Sequence, residues 1–97
     1  MFDKRVWVEK PVPIPCRVSI SRAFPRLAVA AAPANAIPLW IRTGGVRLED
    51  AMDGELIGWA RLLDSQWIAH VRIRPQIGSE IASMTLWVTA DAVEQWP

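Results

Sequence analysis

The amino-acid sequence predicts a small all-β domain, folded as a barrel or as a two-sheet sandwich with one short helical turn. Apolar and polar residues alternate at the period of a β-strand in Arg5–Lys10, Cys16–Ser21, Leu56–Leu62, Trp67–Arg74 and Met84–Thr89. Clusters of Gly, Pro, Asp and Ser separate these runs. The one alanine-rich stretch, from Leu27 to Ala32, is bracketed by Pro25 and Pro33, so any helix there is short.

In the first run Val6 and Val8 take one side, with Arg5, Trp7 and Glu9 on the other. Pro11, Pro13 and Pro15 then remove N–H donors at every second position, which fits an edge strand or a polyproline II segment. An edge that no other chain can extend is favoured over a ligand for a proline-recognition domain. Cys16, Val18 and Ile20 form the inward set of a second strand, so Cys16 reads as a small buried hydrophobe.

Residues 22–36 read equally as a short helix or as a strand with Leu27, Val29 and Ala31 inward. Leu39–Arg42 reads as a strand or a single helical turn ended by Gly44-Gly45. Val46 and Leu48 suggest a short strand before an acidic loop, Glu49–Glu55. That loop lacks the alternating acids of a calcium-binding EF-hand.

Leu56–Arg74 is the clearest element, a hairpin about which the rest is placed. With a two-residue loop at Asp64-Ser65, Leu56, Gly58, Ala60 and Leu62 share a core face with Trp67, Ala69, Val71 and Ile73. The other, mixed face then carries Glu55, Ile57, Trp59, Arg61, Ile68, His70, Arg72 and Arg74, with Glu55 opposite Arg74 and Trp59 opposite His70. An odd-length loop would break this arrangement unless a bulge corrects it. A loop containing Gly78 follows, then Met84–Thr89, one helical turn capped by Thr89, and a last short strand.

The chain has 97 residues, one domain by length, in which the N-terminal strands and Pro-rich edge occupy 1–45 and the β core 46–97. It is 52% apolar with 6 Trp and 1 Cys, which excludes a disordered chain and an internal disulfide. No apolar run spans a bilayer and the N-terminus has no signal-type apolar region, so a cytoplasmic setting is expected. The net charge of +1 hides an asymmetry, +6 over residues 1–48 and −5 over residues 49–97. Such a split marks a nucleic-acid surface, a pair of halves that pack together, or a self-complementary dimer.

With one His, one Cys and no phosphate-binding, dinucleotide or serine-nucleophile motif, no catalytic residue, cofactor or metal ligand is predicted. Six tryptophans exceed what so small a core needs, and Trp and Arg dominate interface hot spots. Trp59, Arg61, His70, Arg72, Arg74 and Trp87 are therefore the candidate interaction residues.

From Val46 to Trp96 the chain resembles an SH3-like barrel. The hairpin GWARLLDSQWIAHVRI, a connecting loop and LWVTADAV match the order of a strand, a single 3₁₀ turn and a short last strand. Tyrosine is absent and the aromatic peptide-binding signature of eukaryotic SH3 domains is not recognisable, so the resemblance implies the barrel without the groove. Size and composition, with 9 Arg against 2 Lys, also resemble small proteins of actinobacterial genomes and their phages. The expected function is a non-enzymatic protein–protein interaction module, an accessory protein of a phage or mobile element that engages a host protein or forms a homodimer. The alternative is a nucleic-acid-binding small barrel that uses an Arg/Trp face.

Overall fold

A computed structural model describes residues 2–25 and 37–95. They form eight strands: β1 (Trp7–Ser19), β2 (Val46–Arg47), β3 (Ala51–Arg61), β4 (Trp67–Ile73), β5 (Gln76–Ile77), β6 (Glu80–Ile81), β7 (Met84–Thr89) and β8 (Val93–Gln95). Two short helices, α1 (Ile20–Ala23) and α2 (Leu39–Gly44), and a 3₁₀ turn at Ala90–Ala92 complete them. A five-stranded antiparallel sheet in the order β7-β4-β3-β1-β8 curls into a half-barrel, and β2, β5 and β6 make a small second sheet. The fold is all-β, as the alternation predicts.

β1 is one 13-residue strand in place of the two that its prolines suggest. It lies between β3 and β8, but β8 reaches only Cys16–Val18. Where Pro11 and Pro13 sit, β1 is therefore an edge on that side. On the other side the register to β3 jumps from Glu9 to Ile14, so residues 10–13 stand out of the ladder. The missing N–H groups thus cost no sheet hydrogen bonds.

The acidic segment Glu49–Glu55 departs from its expected loop form, because Ala51–Glu55 is the first half of β3. Residues 15–19 of β1 supply the partner, pairing Arg17 with Asp53 and Cys16 with Gly54. A pairing partner distant in sequence overrides the loop-forming character of Asp and Gly. At Leu39–Gly44 the helical alternative holds, and Gln76–Ile81 folds as a tight hairpin turned at Gly78, whose φ is +62°. Of the ambiguous residues 22–36, the first two close α1 and 26–36 lie outside the described residues. Thr89 is at the N-cap of the 3₁₀ turn but makes no side-chain capping bond.

The hairpin register also differs from the expected one. Its loop is odd: Arg61 pairs with Trp67, and Leu62 accepts from Ser65 and donates to Gln66. Ser65 takes a left-handed φ of 77°, the geometry of a three-residue hairpin loop. Ile57 is then an extra residue in β3, which restores the core face below it. Leu56 meets Val71 and Gly54 meets Ile73, all on the concave side. Above Ile57 the parity of β3 is reversed, so Trp59 faces Ala69 on the concave side and packs against the core. Leu62, expected in the core, is exposed in the loop beside Leu63.

The core is Cys16, Val18, Ile20, Leu56, Ala69, Val71, Ile73, Val88 and Ala92. α1 contributes Ile20, and the 3₁₀ turn contributes Ala92. Arg22 ties the two by donating to the Asp91 carbonyl at 3.3 Å. Burial pushes the Cys16 thiol up from its ordinary pKa, and the nearby Glu55 charge adds to the effect.

Gly54 tests the closeness of β3 to β4. A Cβ there would stand 2.6 Å from the Arg72 carbonyl oxygen and 3.2 Å from Ile73 Cγ2, whereas at Gly44 it would meet nothing within 4 Å. Gly54→Ala is expected to lower stability by about 1–3 kcal/mol. Gly44→Ala should be neutral or stabilising by up to about 1 kcal/mol. Urea unfolding midpoints at unchanged m-value check the contrast.

Candidate functional site

The outer, convex face of the five-stranded sheet collects its side chains by register. His70 on β4 stands opposite Trp87 on β7 and Gly58 on β3, and Glu9 on β1 stands opposite Gly58. The His70 and Trp87 rings stack with centroids 4.2 Å apart and planes 4° from parallel. Trp7 approaches Trp87 at 5.4 Å, and Phe2 approaches Trp7 at 4.6 Å. Strands β1 and β7 are separated by β3 and β4, a spacing of roughly 14 Å on a flat sheet. Trp7, Gly58, His70 and Trp87 are among the residues that line one small cavity, and a Cβ at Gly58 would stand 2.8 Å from the Val8 carbonyl oxygen. Trp7 Nε1 donates to Glu9 Oε1 at 3.1 Å, which holds the indole in place. Trp87 ends the row on edge strand β7 and is 40% exposed.

Further along the same face, Glu55 Oε1 lies 2.7 Å from Arg74 Nη2 and 3.6 Å from Arg72 Nη1. The oxygen is shielded from solvent, and both contacts are ionic, without hydrogen-bond geometry. Glu55 pairs in register with Arg72, and its ion pair with Arg74 reaches one residue beyond β4.

The six candidate residues thus fall into two groups. His70, Trp87, Arg72 and Arg74 share the outer face. Trp59 and Arg61 do not, because the extra residue at Ile57 turns them to the concave side. There the Arg61 guanidinium sits 5.4 Å from the Trp67 ring centroid and also bonds Ser65. Trp59 and Trp67 line a mostly apolar cleft with Val8 and Lys10. Trp7 and Phe2 were not among the candidates; alternation places Trp7 on a face, but only pairing across the sheet brings it to Trp87. Cys16 and His70 lie on opposite faces of the sheet.

Among the described residues no group of three or more His, Cys, Asp or Glu is placed to hold a metal ion. No helix among them is long and apolar enough to cross a membrane. Compared with protein-family models, curated proteins and solved structures, the chain gives no match.

Partial burial holds the His70 pKa below its ordinary value of 6.5, and the Arg72 charge lowers it further. The folded state therefore binds fewer protons than the unfolded state between the lowered pKa and 6.5. His70 contributes full stability above 6.5 and loses it as pH falls through that window. Unfolding midpoints measured from about pH 7.5 down to about pH 5.5 should fall further for wild type than for His70→Asn. Parallel curves would show that burial and the Arg72 charge do not lower the His70 pKa.

Proposed function

We propose that this chain is a non-enzymatic protein-interaction module that works through the outer face of the half-barrel and its β7 edge. One observation carries the reading: Trp87, stacked on His70 and continued by Trp7, ends on an edge strand with neither a charge nor a proline. Edge strands are usually blunted by charge, proline or a bulge, and β7 has none of these between Met84 and Thr89. Among the described residues no strand pairs with its outer side, and Trp87 supplies a large, rigid contact beside it.

A second copy of the chain suits this edge. Paired antiparallel about Trp87, two β7 strands keep Leu86 and Val88 on one face and Thr85, Trp87 and Thr89 on the other. The Trp87 side chains of the two copies then adjoin, and no like charges oppose each other. The single cysteine supports a reducing, cytoplasmic setting. The resemblance to actinobacterial and phage-encoded proteins supports an accessory role against a host protein.

Arg72 and Arg74, on the same face as the aromatic row, favour nucleic acid as a second reading. Glu55 contacts both guanidiniums and offsets their charge.

Light scattering and an affinity pull-down should compare wild type, Trp87→Ala and Trp59→Ala, all shown to be folded. Trp87→Ala is expected to weaken dimerisation or partner recovery at least about tenfold, with Trp59→Ala close to wild type. Equal recovery from Trp87→Ala would remove this surface. Anisotropy titration with a single-stranded oligonucleotide at low salt decides the second reading, because salt-sensitive binding lost in Trp87→Ala would replace the protein partner with nucleic acid.

A further inference from the structure

The outer face runs past Glu55 to a second feature, independent of the aromatic row. A cavity of about 610 Å³ opens there, and Arg17, Arg47, Arg74, Gln76, Glu49 and Asp53 are among the residues that line it. We propose that it binds a small multivalent oxyanion of the phosphate type.

Three arginines line this cavity from three separate segments: Arg17 from β1, Arg47 from β2 and Arg74 from the link between β4 and β5. Arg17 Nη1 contacts Asp53 Oδ1 at 3.0 Å, and Arg74 Nη2 contacts Glu55 Oε1 at 2.7 Å. Arg47 makes no ion pair among the described residues. A guanidinium presents five N–H donors in a planar fork, so one carboxylate contact leaves Arg17 and Arg74 able to bind a second oxyanion. Both side chains are about half exposed, at 47% and 53%, so a ligand reaches them without unburying a charge. Gln76 pairs with Arg47 in the small sheet, and its amide nitrogen donates to the Gly78 carbonyl at 3.0 Å, which fixes that wall.

The acids decide which anion enters. Glu49 and Asp53 stand in the wall, and Glu94 is opposite Arg17 in register, so the local charge is close to balanced. A monovalent ion such as chloride gains little from a balanced cavity. A tetrahedral oxyanion gains directional bonds from several guanidiniums at once, in competition with Asp53.

Isothermal titration with pyrophosphate, at ionic strength held constant with sodium chloride, tests the site. Wild type is expected to bind saturably, with Arg47→Ala at least about tenfold weaker. Asp53→Asn, which removes the competitor for Arg17, is expected to bind at least about threefold tighter. Trp87→Ala should bind as wild type does, which separates this site from the contact surface. Unfolding midpoints establish that each variant is folded. Absence of saturable binding by wild type, or equal affinity in wild type, Arg47→Ala and Asp53→Asn, overturns the proposal.

Discussion

Between Leu56 and Gly58 the β3–β4 ladder takes in one extra residue, and at the same level β1 lifts residues 10–13 away from β3. These irregularities sit side by side and bend the middle of the sheet. A bulge increases the local twist of its strand and turns following side chains to the other face. Without it, the three-residue loop at the hairpin tip would set Leu56 and Gly54 against solvent, because strand parity is strict. With it, the lower half of β3 packs inward against Cys16, Val18, Val71 and Ile73.

Both surfaces follow from that bend. Above it, the reversed parity of β3 places Gly58 on the outer face between Glu9 of β1 and His70 of β4, in the small cavity that Trp7 and Trp87 also line. The same reversal sends Trp59 and Arg61 to the concave side, where Trp59 packs on the core and Arg61 sits against Trp67. Below it, Asp53 and Glu55 point outward and set the arginines in place. One inserted residue therefore separates an aromatic surface from an arginine-lined cavity.

Inside the sheet one ion pair joins the positive and negative halves of the chain, Arg17 with Asp53. Positive β1 lies between acidic β3 and β8, with Arg17 facing Asp53 on one side and Glu94 on the other. Arg22 adds a bond to the Asp91 carbonyl. Exposed pairs of this kind contribute at most about 1 kcal/mol each, so they select the strand neighbours more than they stabilise them. β1, from the N-terminal segment, is integral to the five-stranded sheet.

Alternation by itself determined the all-β class, the extents of β4 and β7, the inward set Ala69, Val71 and Ile73, and the outward placement of His70 and Trp87. These are properties of short segments, in which each side chain's face follows from its neighbours two positions away. Only the tertiary structure decided the register of β3, because the left-handed Ser65 lengthens the turn and Ile57 compensates for it eight residues earlier. It likewise decided that Ala51–Glu55 is strand, since the partner lies in β1. The meeting of Trp7 with Trp87, and of Arg17, Arg47 and Arg74, depends on strands far apart in the chain, whose juxtaposition no local periodicity encodes.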